Sequence, residues 1–400
     1  MMSTRARLAT ALLSTTVLAY VAVGSVLGRA LGDSTYTQLS LFNEVTRLVM
    51  DAYIEPIDLD RTMTVASLGL TEALDGDSGY LNAQQFDAYR RAPARDSDAE
   101  IGVTLTRRYS FLMVASVRAG SPAELAGLRP GDLLKTIDGR HSRHVPAAVG
   151  SGLLRGAPGS KVSLAVLRSS TEPIDVQVVR ERLLPLAPES RILEQGPAYL
   201  KIPEFGPQVA DMVRSQLETL KRAGAASLVL DLRNAGRGEP AEGIKVAEMF
   251  LESGVIARLV RRKSSEQVWE AAPARQVWTG RLALLIDHGT LGAGEIVAAA
   301  VKSAQRGPLV GRRTLGRAGI RKALALGEGG LVLTVGKFLD PAGEPIHGHG
   351  VVPTERVQPR DGDDHAGQDD EEAPPKEGDA MLEKAIELLV APAGEAAKAA

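Results

Sequence analysis

Apolar residues near the start of the chain are spaced as in helices. Between Tyr36 and Tyr53 they recur every three or four positions, which predicts an amphipathic helix. A second pattern of this kind runs from about Arg61 to Leu74 and ends at the turn residues Asp75 and Gly76. These patterns predict a helical cap over residues 33–92.

The pattern changes to short β-rich runs over the next stretch, which predicts a separate β-rich domain over residues 97–182. Two helices are expected within it. A short one opens at Ser121-Pro122-Ala123-Glu124 and stops at Gly127, and the other covers Val145–Leu154. The predicted strands are Ile101–Leu105, Phe111–Val117, Asp132–Ile137, Val162–Leu167 and Ile174–Val179.

Strands and helices alternate over residues 184–357. Continuous apolar runs such as Ser227–Leu232 and Leu282–Ile286 predict buried strands. The 3-4 spacing predicts helices over Gly206–Ala223, Glu239–Leu251 and Ala293–Ala304. Because βα alternation is typical of parallel sheets covered by helices, the fold class predicted for this region is α/β with a mostly parallel sheet.

Two further segments have their own patterns. Residues 358–379 are acidic and contain prolines, which predicts a disordered linker. Within residues 380–400, Met381–Val390 has the 3-4 spacing of a docking helix. At the other end, Leu8–Gly28 is apolar and follows Arg5 and Arg7, which predicts a membrane helix within residues 1–32.

We expect that helix to be an uncleaved anchor, with a cleaved signal peptide as the alternative. Everything after it is then exported.

Composition limits the remaining function classes. The 47 basic and 49 acidic residues leave a net charge of -2, which argues against nucleic acid as a partner. The chain has no cysteine, which excludes disulfides and thiolate catalysis, and no cofactor or metal is predicted.

Motifs in the β-rich domain resemble a PDZ domain of bacterial protease type. They are Gly120-Ser121-Pro122-Ala123, Pro130-Gly131-Asp132 and Ile137-Asp138-Gly139. Together with motifs such as Leu74 to Tyr80, Leu230 to Asn234 and Gly348 to Pro353, the chain resembles the carboxyl-terminal processing serine peptidases. The resemblance implies a peptidase-like α/β core of the crotonase-like kind and export to the periplasm from a bacterial inner membrane.

The resemblance also implies where catalytic residues would lie. The family places a serine nucleophile before a Glu-Ile pair, a lysine base about 25 residues later, and a glutamine four positions beyond the lysine. Matched on Glu295 and Ile296, these positions hold Gly292, Arg317 and Arg321. Glycine has no hydroxyl group, and arginine neither loses its proton nor accepts a hydrogen bond. No catalytic residue of the family mechanism is therefore expected to be intact.

Backbone N–H groups of Gly292, Ala293 and Gly236 resemble the family's oxyanion region and are candidates to bind a carboxylate. Their alternative role is to permit tight turns between strands and helices. A basic strip is made of Arg312, Arg313, Arg317, Arg321 and Lys322. It is either a solvated strand edge or a site where Arg317 or Arg321 contacts the terminal carboxylate of a peptide.

The PDZ-like domain suggests a groove in which a peptide adds a strand. The candidate peptide-binding residues belong to the edge strand and the facing helix, where they also serve as core candidates. They are Ile101, Gly102, Val103, Val145, Val149 and Leu153. Two weaker candidates are a Thr290–His288 nucleophile-base pair and a metal contact at His347 and His349, for which no third ligand is visible.

The leading hypothesis is an inactive homologue that binds protein carboxyl termini or unfolded segments, as a scaffold or regulator of an active protease. One alternative is an active serine endopeptidase that cleaves near carboxyl termini with a displaced nucleophile. Another is a structural partner of an active protease paralogue, in an assembly formed through the cap. A homo-oligomer formed through that cap also remains open.

Overall fold

The computed structural model describes residues 36–91, 99–168, 172–357 and 379–390. The predicted membrane helix, most of the predicted acidic linker and the last ten residues lie outside these ranges. The chain divides into two units, Met1–Val65 and Ala66–Ala400. None of the helices in the described ranges is long and apolar enough to cross a membrane.

The first helix, α1, covers residues 36–52, close to the range that the apolar spacing predicts. Its apolar side chains are exposed, from 42% at Val49 to 55% at Leu39. Three more elements precede the β-rich domain: α2 (Leu59–Glu72), β1 (Gly79–Leu81) and α3 (Ala83–Arg91). Helix α3 was not predicted, because its only buried side chain is Phe86 and its sequence is otherwise mostly polar.

The β-rich domain is a sheet of strand order β2-β3-β4-β6-β7, with β5 paired to β4. Val114, Leu134 and Leu164 are among the buried side chains of its core. Its helices are α4 (Pro122–Leu125) and α5 (Ala147–Leu153). Its strands are β2 (Val103–Arg108), β3 (Phe111–Val117), β4 (Leu133–Ile137), β5 (Arg140–His141), β6 (Lys161–Leu167) and β7 (Ile174–Val179).

The first ten elements of the α/β core follow in chain order. They are β8 (Glu189–Ile192), β9 (Ala198–Lys201), α6 (Val209–Arg222), β10 (Ser227–Asp231), α7 (Pro240–Glu248), β11 (Val255–Arg261), β12 (Gln267–Glu270), β13 (Arg281–Ile286), α8 (Ala293–Ser303) and β14 (Leu309–Gly311). The remaining elements are β15 (Gly319–Leu326), β16 (Gly329–Leu339), β17 (Glu355–Arg356) and α9 (Ala380–Val390).

One sheet of the core is mostly parallel, as predicted. Its strand order is β17-β14-β13-β10-β9-β8, and only the β8–β9 pair is antiparallel. Leu228, Leu230 and Leu284 are fully buried in it, beneath α6, α7 and α8. Because the carboxyl ends of parallel strands meet at one edge of the sheet, the loops after β10, β13 and β14 come together there.

A second sheet is antiparallel. Its order is β1-β16-β11-β12, and β15 pairs with the other edge of β16. Strand β1 belongs to it, although about 250 residues separate β1 from its partner β16. Phe86 of α3 packs on this sheet so closely that a β-carbon on Gly330 would lie 2.2 Å from its ring. The cap residues of the second unit are thus part of the core.

Helix α9 docks on the parallel sheet through an apolar face and an ion pair. Its buried residues Ala385 and Leu389 contact the cluster around Val229 and Leu285. Arg233 binds Asp231 at 2.6 Å and Asp379 at 2.7 Å, so it links the end of β10 to the start of α9. The predicted docking helix over Met381–Val390 is therefore present.

We expect Arg233→Ala to lower the free energy of unfolding by about 3 kcal/mol, because it leaves the fully buried Asp231 without its cation. Urea denaturation measures this change. The matched control is Asp379→Asn, which removes the partly exposed end of the same link and should cost less than about 1 kcal/mol. Equal losses in the two variants would contradict the assignment.

Candidate functional site

The candidate site lies where α8 begins. Gly292 precedes the helix with φ 52° and ψ -105°, a conformation that favours glycine over other residues. The space beside it is open, since a β-carbon built on Gly292 would have only the Arg317 carbonyl oxygen within 4 Å, at 3.9 Å. Two of the positions implied by the family resemblance, Gly292 and Arg317, are therefore neighbours in space.

Glu295 holds these two segments together. It is fully buried, and its carboxylate accepts hydrogen bonds from the N–H groups of Gly292 (2.9 Å), Gly316 (2.6 Å) and Arg317 (2.8 Å) and from the Thr314 hydroxyl (2.6 Å). Burial raises the pKa of the Glu295 carboxyl, and the four donated bonds oppose that rise. Glu295 lies in the first turn of α8, where the helix dipole favours a negative charge, but these hydrogen bonds are the larger reason for its position.

The Arg317 side chain is held by Asp77 from the turn before β1. Its Nε lies 2.9 Å and 2.7 Å from the two carboxylate oxygens of Asp77, and Arg321 lies 3.6 Å from one of them. Burial raises the pKa of Asp77, but Arg317 and Arg321 outweigh burial and hold this pKa below its usual value. The Arg317 guanidinium is thus an ion-pair partner of its own chain.

Asp75 shapes the turn that presents Asp77. Its Oδ1 accepts the N–H groups of Asp77 at 2.9 Å and Ser78 at 2.6 Å. Burial raises the pKa of Asp75. The nearby His347 and the two backbone hydrogen bonds lower it by more, so the pKa lies well below its usual value. His347 is buried 3.9 Å from Asp75, and the described residues contain no cluster of three side chains able to hold a metal with either His347 or His349.

Two of the three N–H groups predicted to form an oxyanion-like region already donate within the chain. The Gly292 N–H binds Glu295, and the Gly236 N–H binds the Asn234 carbonyl at 2.8 Å. Gly236 is also covered, since a β-carbon there would lie 2.0 Å from the Ser116 hydroxyl. The third group belongs to Ala293, the first residue of α8.

Thr290 and His288 do not form a nucleophile-base pair in this arrangement. The Thr290 hydroxyl is fully buried, donates to the Leu232 carbonyl (2.9 Å) or to Asp287 (3.1 Å), and accepts the Asp287 N–H. His288 lies on the exposed side of the same loop. Partial desolvation by the surrounding residues and the charge of the nearby Arg312 lower the His288 pKa. Thr290 therefore closes its own turn.

The β-rich domain is joined to the candidate site by an ion pair. Arg237 binds both oxygens of Glu100 at 2.7 Å and also donates to the Val103 carbonyl at 3.3 Å. The Thr104 hydroxyl donates to the Gly236 carbonyl at 3.4 Å. The start of the edge strand β2 is thus attached to the loop after β10.

The other end of β2 is also occupied by the chain itself. The Arg107 N–H donates to the Gly76 carbonyl at 3.0 Å, on the edge of β2 that faces away from β3. A cleft of about 440 Å³ opens beside this contact and is lined by Glu72, Asp75 and Arg108 among others. Backbone groups at both ends of the predicted peptide-binding edge are therefore already bonded within the chain.

The six residues predicted to line that groove do not share one surface. Ile101 is buried in the domain core, and Val103, Val145 and Leu153 pack against that core. Val149 packs against the cluster of Leu81, Phe86 and Val332, and a β-carbon on Gly102 would lie 2.3 Å from Ser121. Their role in peptide binding stays a prediction.

Comparison with known proteins agrees with this architecture. Residues 196–357 match peptidase family S41, and residues 113–168 match the PDZ domain. The fold is shared with a solved photosystem II D1 C-terminal processing protease. That structure is 24% identical with a TM-score of 0.67, and the match covers 78% of this chain and 86% of that one.

Several curated relatives carry related names. The carboxy-terminal processing protease CtpA of Bacillus subtilis is 27% identical over 84% of this chain and 72% of the relative. The carboxyl-terminal-processing protease of Synechocystis is 32% identical over 66% of this chain and 62% of the relative. Carboxyl-terminal-processing peptidase 2 of Arabidopsis thaliana is 32% identical over 60% of this chain and 49% of the relative.

The molecule is thus a PDZ-containing protein with an α/β core of the S41 peptidase fold. More particularly, its sequence is similar to those of the C-terminal processing proteases.

The acidic partners of the site could not be identified from local sequence. Asp77 lies in a motif noted for its family resemblance, and Glu100 directly precedes the candidate edge residue Ile101. Their partners Arg317 and Arg237 are 240 and 137 positions away. No local spacing signals such pairs.

We expect Glu295→Gln to lower the free energy of unfolding by about 2 kcal/mol, because the amide NH₂ of glutamine would face two N–H or O–H donors. Thermal and urea denaturation measure this loss. Glu344→Gln at an exposed position is the control and should change little. Unchanged stability in Glu295→Gln would show that the four hydrogen bonds do not hold the site.

We expect Asp77→Asn to cost about 3 kcal/mol at pH 7, because Arg317 loses its buried partner. The folded-state pKa of Asp77 lies below the ordinary 3.8, so the carboxylate stabilises the fold above that value and loses this effect as pH falls. The difference between native and variant should therefore shrink between pH 5 and pH 3 in urea titrations.

The control for this experiment is Asp175→Asn, at an exposed position in β7, which should change stability little at either pH. A difference between native protein and Asp77→Asn that stays constant down to pH 3 would contradict the ion pair.

Proposed function

We propose that this protein is a catalytically silent relative of the C-terminal processing proteases. In this proposal it binds carboxyl-terminal or unfolded segments of other proteins and acts as a scaffold or regulator of an active protease. The observation that carries it is the pairing of the Arg317 guanidinium with Asp77 beside Gly292, at 2.7 Å. That arrangement offers neither a hydroxyl group nor a base.

The residue types at the positions implied by the family resemblance support the absence of catalysis. Acyl transfer needs a nucleophile, a group to take its proton, and donors that stabilise the oxyanion. Gly292 has no side chain, Arg317 stays protonated, and the Gly292 N–H donates to Glu295. The nucleophile and the base are thus absent at these positions, and two of the three predicted oxyanion donors, Gly292 and Gly236, already donate within the chain.

The displaced-nucleophile alternative finds little support in the hydroxyl groups near Gly292. Thr290 is fully buried and bonded to Leu232 and Asp287. Thr314 is 2% exposed, and its hydroxyl donates to Glu295 and accepts the Val351 N–H at 2.8 Å. A peptide carbonyl cannot reach either oxygen without rearrangement of these bonds.

Peptide binding is supported by the domain type rather than by an open groove. PDZ domains take an extended chain end as an added strand. In this protein Arg237 and Gly76 occupy both ends of β2, so a peptide there must displace them. Peptide binding and the position of the Asp77 turn are coupled in this proposal, because Gly76 and Asp77 are adjacent.

The proposed location is the exported side of a membrane. Its basis is the apolar run Leu8–Gly28 after Arg5 and Arg7. A partner assembly through the cap is compatible with the exposed apolar side chains of α1, such as Leu39 and Val45.

The decisive experiment compares the native protein with a Gly292→Ser, Arg317→Lys, Arg321→Gln variant on an unfolded protein substrate. Mass spectrometry identifies fragments, and binding of a carboxyl-terminal peptide is measured beside it. We expect the native protein to bind without cleaving. Serine at a φ of 52° is strained by about 1 to 3 kcal/mol, so the variant should be less stable.

A Gly292→Ala variant carries the same strain without a hydroxyl and is the matched control. Cleavage that appears only in the triple variant would support a site that still holds a peptide and lacks only the catalytic side chains. Cleavage by the native protein, or its labelling by a serine-directed fluorophosphonate, would overturn the proposal.

A further inference from the structure

We propose that the free edge of β15 is a docking strand for an extended acidic peptide and leads that peptide toward Gly292. This inference rests on the proposed peptide-binding function. It names a second part of the site and the chemistry of its ligand.

Strand β15 lies at the edge of the antiparallel sheet. Strand β16 pairs with β15 along one edge and with β1 and β11 along the other. At eight residues, β15 is the longest edge strand in the described part of the chain. Unpaired edges of this length are ready templates for an added strand.

The hairpin turn shows which backbone groups face outward. Gly327 and Glu328 form a two-residue turn, in which Gly327 has φ 56° and Leu326 pairs with Gly329. Residues of an antiparallel pair bond to the partner strand alternately, starting from the pair that closes the turn. The residues that bond to β16 are therefore Lys322, Leu324 and Leu326, and those that face away are Arg321, Ala323 and Ala325.

These three outward residues are exposed. Among the described residues, no hydrogen bond from outside the hairpin reaches the N–H or C=O groups of these three residues. Six backbone groups are thus available to an incoming strand, in the alternating pattern that an antiparallel peptide requires.

The strand begins two residues after Arg317, whose carbonyl oxygen lies beside the open space at Gly292. A peptide antiparallel to β15 runs with its carboxyl end toward Gly319. The edge therefore directs the end of a bound chain to Gly292 rather than away from it.

The charge of the strand selects the peptide. Arg321 is 43% exposed and lies 3.6 Å from Asp77, and Lys322 is also exposed. Acidic side chains of a bound peptide would pair with these cations. A second copy of β15 would instead bring like charges together, and positive charge on an edge strand discourages such pairing.

The test uses a labelled peptide of alternating glutamate and valine with blocked ends, and measures binding by fluorescence anisotropy. Ala323→Pro removes an outward N–H but keeps the bonds to β16, since an edge strand tolerates proline there. We expect about tenfold weaker binding to Ala323→Pro, and native-like binding to the matched control Ala323→Val.

Hydrogen exchange on the native protein provides a measurement that does not depend on the variant's folding. We expect the peptide to slow exchange at the amides of Arg321, Ala323 and Ala325 and to leave Lys322 and Leu324 unchanged. Binding without this protection, or equal binding to a lysine–valine peptide, would overturn the inference. Concentration-dependent dimers that Ala323→Pro abolishes would also overturn it, in favour of a second copy.

The blocked peptide has no terminal carboxylate, which separates this inference from the proposed function. If a peptide with a free carboxyl end binds while the blocked peptide does not, only the β15 inference fails. If the blocked peptide alone binds as described, recognition of carboxyl ends fails instead.

Discussion

The buried carboxylate of Glu295 is the constraint on which the candidate site depends. Its four hydrogen bonds join the start of α8 to the loop after β14, two segments from different strands of the parallel sheet. A buried carboxylate is costly unless its oxygens are satisfied, so the two segments are held in one arrangement. Gly292 and Arg317 are neighbours for this reason, whatever chemistry they support.

A second layer of charge pairs attaches the surrounding parts to this arrangement. Asp77 brings the turn before β1 onto Arg317, and Arg237 brings the β-rich domain onto the loop after β10. Both pairs are largely shielded from water, where loss of one partner costs more than at the surface. The site is therefore built from cationic groups that already have partners within the chain.

This distribution of charge changes the meaning of the basic strip. Taken alone, Arg312, Arg313, Arg317, Arg321 and Lys322 form a cationic run able to receive a peptide carboxylate. In the fold, Arg317 is paired with Asp77, and the exposed Arg313 donates to the His349 carbonyl. Arg321 and Lys322 are exposed on β15. One part of the strip is thus bonded within the fold, and the other part is exposed to a ligand on β15.

The sequence by itself determined much of the secondary structure, because helices and strands follow from local apolar spacing. Helix α1, strand β3 and helix α8 lie within one or two residues of their predicted ranges. That Gly292 carries no hydroxyl group and that Arg317 stays protonated was likewise visible in the residue types. Only the tertiary structure decided that Glu295 joins two loops, that Asp77 neutralises Arg317, and that β15 has a free edge. These features arise from contacts between distant residues, which leave no periodic signal along the chain.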